Sequence, residues 1–306
     1  MSIELKPKEV FQRIGFSFAI SFLVVNLVQL VIIALLTVME SPLLYSEWLT
    51  WVLIAISFYL IGFPLFYWKA KDLPNAPKQP PKKLKLIELI EYGCMAYTLT
   101  YIFNLLTVLI TTAIEALKGS LIPNVGGGLV SATAPVGLII CGVILSPIIE
   151  EVLFRKILLD KIRRYGDKVA IVVSAITFGL YHGNLSQVFY AIALGGVLAY
   201  MTLKTNRICY AIMVHIFINA MSSVILPVIL GDGTQFIRIT VAMAFIFLIL
   251  ILGIFGLIRS IKKLDLTVGD YYIHPNHFFK TVFGNSGMIS YFIMSFILIL
   301  LSIISA

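Results

Sequence analysis

Nine runs of apolar residues, each long enough or nearly long enough to cross a lipid bilayer, dominate this 306-residue chain. They are 15–38, 50–68, 93–116, 134–157, 168–183, 187–203, 208–230, 236–259 and 287–305. A spanning helix needs about 20 consecutive apolar residues. The fifth and sixth runs are short and separated only by Gly183, Asn184, Leu185 and Ser186. That spacing predicts a tight helical hairpin or a partly re-entrant pair, so eight spans is the alternative count. Hydrophobic residues make up 60% of the chain and charged residues 12%. A soluble domain carries about 25% charged residues, so a soluble fold would lack the polar surface it needs. The predicted fold is all-α: a polytopic transmembrane helix bundle of 8–9 spans, with an intramembrane polar cavity open to the cytoplasmic side. One integral membrane domain accounts for 1–306, with a chemical core at about 130–230 between flanking spans in 15–116 and 236–305. The first run is too long for a cleaved signal peptide and no small-residue cleavage site follows it, so it reads as the first anchor.

The net charge of +8 would point to nucleic acid in a soluble protein. Here the positive-inside rule absorbs it. With the N-terminus cytoplasmic and nine crossings, 21 of the 23 Lys and Arg fall in inner segments, and only Lys118 and Arg238 fall outside. The expected location is the cell membrane, multi-pass, with the C-terminus outside if all nine runs cross. The lipid bilayer is thus an expected partner and nucleic acid is not. The longest inner loops are 69–92 and 260–286. Pro74, Pro77, Pro80 and Pro81 keep the first extended, and the pattern from Lys85 to Glu91 predicts an interfacial amphipathic helix. An outer loop with Pro123, Gly126, Gly127 and Gly128 reads as a flexible connector or re-entrant turn. Cys94, Cys141 and Cys209 lie in apolar stretches and fit neither a disulfide framework nor a zinc motif. They read as packing residues.

Ionisable residues at membrane depth are costly and mark function by default. Glu150 and Glu151 lie inside the fourth run, and His182, His215 and Asn219 lie within later ones. Glu151 and Arg155 are four apart and share a helix face. So do Phe178 and His182, and likewise His215 and Asn219. Gly166 is a natural turn. Glu150 lies 16 residues before it and His182 16 after it, which places them level in an antiparallel hairpin. The alignment of His215 and Asn219 is looser. Such a set supports hydrolysis. A glutamate in apolar surroundings suits a general base near neutral pH, His182 can hold or polarise water, and His215 with Asn219 can donate to an oxyanion. Arg155 would neutralise Glu151 and leave Glu150 free.

Three motifs now carry a resemblance. Glu150-Glu151-Val152-Leu153-Phe154-Arg155 resembles EExxxR, Phe178-Gly179-Leu180-Tyr181-His182 resembles FxxxH, and His215-Ile216-Phe217-Ile218-Asn219 resembles HxxxN. In this order, on separate spans, they are similar to the CAAX protease and bacteriocin-processing (Abi) family, which includes the CAAX prenyl endopeptidases of the Ras-converting type. The resemblance covers roughly 130–230. It implies a metal-independent glutamate endopeptidase, without cofactor, cutting membrane-associated peptides or protein tails, prenylated ones included, near the cytoplasmic face. It further implies that Glu150 is the catalytic glutamate, that His182 completes water activation, that Glu151, Arg155 and Phe178 support the site, and that His215 and Asn219 stabilise the oxyanion. The family typically has eight spans, so the last run would be an addition.

Blander readings stand beside these. Glu151–Arg155 can be a purely structural ion pair, Glu150 a pore-lining carboxylate, and Asn219 a bridge between helices. Ser146-Pro147 reads as a local kink, Gly195-Gly196 as close helix packing, and His274-Pro275-Asn276-His277 as a solvated loop. Two other functions compete. One is a zinc peptidase using His182, His215 and a glutamate, although no H-E-x-x-H is present. The other is a non-catalytic, immunity-type protein or transporter that binds a hydrophobic peptide. No repeat of the kind transporters carry is visible.

Overall fold

The computed structural model describes residues 5–122, 135–231, 234–262 and 265–304, and the regular structure among them is helical. Among these residues eight helices are long and apolar enough to cross a bilayer: α1 (Pro7–Val38), α2 (Leu49–Ala70), α3 (Leu86–Lys118), α4 (Pro135–Tyr165), α6 (Leu185–Thr205), α7 (Ile208–Leu230), α8 (Phe236–Lys262) and α10 (Ser286–Ile304). Between α4 and α6 lies α5 (Asp167–Tyr181), whose 15 residues give about 22 Å of helix. The chain is therefore a multi-pass membrane bundle with eight full-length helices, and the fifth apolar run is a shorter one. The loop with Pro123 and Gly126–Gly128 and the basic residue Lys263 lie outside the described residues.

Three expectations need correction. The stretch from Lys85 to Glu91 is no separate interfacial helix, because it is the first turns of α3, which runs unbroken into the third span. The loop 260–286 carries a helix, α9 (Pro275–Val282), started by Pro275 and capped by His274, whose Nδ1 accepts from Asn276 N. Cys94 is buried and Cys141 half-buried, whereas Cys209 is exposed rather than a packing residue of the core.

Prolines shape the spans. Ala55–Gly62 in α2, Leu138–Leu145 in α4 and Met221–Ile225 in α7 are wound as π-helix. Each is followed two residues later by a proline: Pro64, Pro147 and Pro227. Proline lacks an N–H and its ring collides with the carbonyl four residues back. Those carbonyls belong to Leu60, Val143 and Ser223, all within the widened turns. A fourth such stretch, Val152–Leu158, directly follows Glu151. π-Turns concentrate at functional sites, and here they bracket the two glutamates.

α5 and α6 form the expected hairpin. Gly183 turns it with a φ of +62°, and a Cβ there would approach the Phe22 ring of α1 to 3.1 Å. Close approach is enforced by Gly179, where a Cβ would come within 2.3 Å of Ile192 and 2.7 Å of the Val188 carbonyl. Gly195 lies equally close to Ala175 and Phe178, as its packing assignment expects. α6 packs on α3, α3 on α8, and α1 on α10.

The end of the bundle that gathers the basic loops is strapped. Lys161 Nζ donates to the carbonyls of Lys71 (3.1 Å) and Leu73 (2.6 Å). Ala76 N donates to Asp160 O and Lys82 N to Thr205 O. A second strap follows α8, where Thr267 donates to the Asp167 carboxylate and Tyr271 N to Arg164 O. The extended, proline-rich 71–85 segment was legible in the sequence. Its partners were not, because they lie 84 or more residues away in the chain.

Candidate active site

α4, α5 and α7 bring all seven sequence-selected residues to one region midway along the bundle. Its core is an ion network. Arg155 Nε lies 3.0 Å from Glu151 Oε2, one helical turn away, and both side chains are fully shielded from solvent. The N–H is not aligned on the oxygen, so this contact is an ion pair rather than a well-formed hydrogen bond. Arg155 Nη2 donates to Gly195 O at 3.3 Å, and the guanidinium stacks 4.5 Å above the Phe178 ring. Glu151 uses its other oxygen as well, accepting from His215 Nδ1 at 2.9 Å. Glu151 is thus committed on both oxygens.

Glu150 is differently placed. Its side chain is 19% exposed, against 0% for Glu151. One oxygen, Oε1, accepts from Ser146 Oγ at 2.6 Å. The other, Oε2, faces His215 Nε2 at 3.9 Å, too far for a direct hydrogen bond. Adjacent carboxylates on one helix therefore differ in availability: one is locked, and the other has an oxygen to spare.

His182 sits in the turn just past the end of α5. Its Nδ1 lies 3.0 Å from Phe178 O. A carbonyl can only accept, so Nδ1 carries the proton and, in the neutral ring, Nε2 presents a lone pair. Asn184 fixes the turn by donating to His182 O (2.8 Å) and Gln187 Oε1 (2.7 Å). Phe178 stands between the two imidazoles, with ring centres 5.1 Å from His182 and 5.7 Å from His215. The first residue of FxxxH therefore separates both histidines and backs Arg155.

Asn219 lies one turn beyond His215 and donates through Nδ2 to Gly142 O at 3.0 Å. That carbonyl belongs to the π-helical stretch of α4. One amide hydrogen remains for another acceptor. By the same reasoning His215, with Nδ1–H on Glu151, can donate from Nε2 only when that nitrogen is also protonated.

Sequence reasoning missed two residues. Ser146 was read as part of a kink, yet its position four residues before Glu150 is the spacing that lets a hydroxyl reach that carboxylate. Tyr59 of α2 lies beside Ser146, with its hydroxyl sealed from solvent. Nothing in the local sequence around Tyr59 marks it.

Residues 132–221 match the family described as type II CAAX prenyl endopeptidase Rce1-like. The chain is also similar to the Bacillus subtilis (strain 168) protein named "Putative membrane peptidase YdiL", with 31% identity over 83 residues, 27% of this chain and 34% of that protein. The match thus spans about a third of the relative's length. No solved structure matches the chain.

Proposed function

We propose, from a chain whose segment 132–221 belongs to the CAAX protease and bacteriocin-processing family, that this protein is an intramembrane endopeptidase with Glu150 as its general base. The observation that carries the reading is the asymmetry of the paired glutamates. Glu151 is held by Arg155 and His215, while Glu150 keeps Oε2 free and part-exposed.

In this reading a water molecule sits between Glu150 Oε2 and His182 Nε2. Glu150 takes one of its protons, and the neutral, Nδ1-protonated His182 accepts a hydrogen bond from the other. The oxygen adds to the carbonyl carbon of the scissile peptide. The resulting oxyanion takes the second amide hydrogen of Asn219 and, when His215 is doubly protonated, its Nε2–H. Glu150 then returns its proton to the leaving amine as the C–N bond breaks. Glu151 and Arg155 do no chemistry; they fix the ring of His215 and the helix that carries Glu150. The substrates are membrane-associated peptides or protein tails, lipidated CAAX-like ones among them, and the basic end faces the cytoplasm.

The test is cleavage of a panel of lipidated and hydrophobic peptides by purified protein in detergent. Glu150→Gln is isosteric and removes the base. It is expected to lower kcat by about 10²- to 10⁴-fold with an unchanged thermal midpoint, and a strong chelator is expected to leave the wild type active. Cleavage that survives in Glu150→Gln would sink the proposal. Loss on chelation with recovery on zinc addition would move His182 and His215 into a metal site instead.

A further inference from the structure

The segment that matches the family begins at residue 132, but one group at the site comes from α2, more than seventy residues earlier. Tyr59 sits in the π-helical stretch Ala55–Gly62. Its hydroxyl is shut off from solvent and closes no well-formed hydrogen bond, although Ser146 is its polar neighbour. A buried hydroxyl left unpaired is destabilising, and such groups in folded proteins call for an explanation. Ser146 supplies one. A hydroxyl has a single hydrogen, and that of Ser146 is spent on Glu150 Oε1, because an ionised carboxylate only accepts. The Ser146 oxygen therefore has lone pairs to offer, and the Tyr59 hydroxyl beside it has a hydrogen to give.

We propose that Tyr59 and Ser146 are positioning residues that act in series on Glu150, the Tyr59 hydroxyl donating to Ser146 Oγ and the Ser146 hydroxyl donating to Oε1. The relay pins one carboxylate oxygen, so that Oε2, the oxygen turned toward His215, is the one that meets water. It also stabilises the ionised form of Glu150 through a charge-assisted bond. Placement of the pair follows from the backbone. Tyr59 lies inside the widened stretch of α2 and Ser146 directly follows that of α4, and widened turns rotate side chains off a regular helical register. A Tyr at 59 and a Ser at 146 in regular helices would present other faces to one another. Since the proposal rests on Glu150 as general base, its test has to separate the two ideas.

The experiment compares full pH profiles of kcat and kcat/KM for wild type, Glu150→Gln, Ser146→Ala, Ser146→Thr and Tyr59→Phe, all in detergent with the same lipidated peptide. Each lost donor makes the carboxylate hold its proton more tightly, so the acid limb of kcat/KM is expected to move to higher pH in Ser146→Ala and, less far, in Tyr59→Phe. At the plateau kcat is expected to fall about 10- to 100-fold for Ser146→Ala and about 3- to 10-fold for Tyr59→Phe, with KM unchanged. Ser146→Thr keeps the hydroxyl and is expected to restore both rate and profile. Tyr59→Phe keeps the ring, so a folding defect does not mimic the result, and thermal midpoints of all variants check this. Wild-type profiles in Ser146→Ala and Tyr59→Phe alongside an inactive Glu150→Gln would overturn the relay alone. An active Glu150→Gln would overturn the general base, and the relay with it.

Discussion

At the scale of single residues, Arg155 is a tightly enclosed charge. It is the largest fully buried side chain among the described residues, and its cationic head meets Glu151, the Gly195 carbonyl and the face of Phe178. Removing one member of a buried ion pair leaves the other charge uncompensated, at a cost of about 3–5 kcal/mol. Arg155→Ala is therefore expected to lower the thermal midpoint in detergent far more than Glu150→Gln does. Arg155→Lys should fall between them, because an ammonium keeps the charge but loses the planar fork and the stacking on Phe178. Equal midpoints for Arg155→Ala and wild type would show that Glu151 is not ionised in the folded protein. The i, i+4 spacing made the Glu151–Arg155 contact legible in the sequence. The hydrogen bond from His215 to Glu151 was not, since 64 residues separate them and spacing carries no information about how two helices rotate against each other. The sequence offered Asn219 both as an oxyanion donor and as a bridge between helices, and one of its amide hydrogens does bridge to Gly142.

At the scale of elements, the α5–α6 hairpin is the device that places His182. Glycines at 179 and 195 let the helices touch backbone to side chain, and the same contact sets Phe178, which separates the histidines. Enlarging such a contact forces backbone shifts costing about 1–3 kcal/mol. Gly179→Leu pushes against Ile192 and the Val188 carbonyl and is expected to separate the helices. Its predicted signature is loss of peptidase activity together with a lower melting midpoint, whereas Gly196→Ala, which meets only the Ala175 methyl at 3.9 Å, should leave both near wild type. If Gly179→Leu behaved like Gly196→Ala, the hairpin would not be what positions His182. The hairpin was readable from the short 183–186 link. The π-helical turns were not, although each proline that causes one was in plain view. A proline in an apolar run is compatible with a kink, a broken helix or a widened turn, and neighbouring helices decide among these. The continuity of α3 was lost for a related reason. Lys85 and Glu88 read as interfacial, yet together they cap the helix: Lys85 N donates to the Glu88 carboxylate at 2.7 Å, and the apolar run beyond lets it continue.

At the scale of the molecule, packing is uneven along the bundle. Described buried residues of α1 stop at Val25, those of α10 at Ser295 and those of α7 at Met221. Beyond those points α1 and α10 turn mostly exposed apolar side chains outward, among them Leu30, Val31 and Leu35 of α1 and Phe296, Ile297 and Leu301 of α10. The packed half is the one that ends in the basic loops and their two straps. Glu150 and His182 lie at the boundary, level with Phe22 of α1. The sequence led to an opening on the basic side, and two straps are tied down at that end. If the straps stay closed during turnover, a peptide is expected to reach Glu150 through the loosely packed half. Cys141 offers a native probe of this, since it is half-buried in the widened turn of α4. In sealed vesicles of known orientation, a bulky membrane-impermeant thiol reagent applied from the face opposite the basic loops is expected to modify Cys141 and stop cleavage. Cys141→Ser should remain active and become insensitive. Modification of Cys209, which is exposed at the start of α7, should leave activity intact, and Cys94 is buried out of reach. Inhibition that instead required reagent on the basic face would place the entrance beneath the straps, and the strap from 71 to 85 would then have to move in every catalytic cycle.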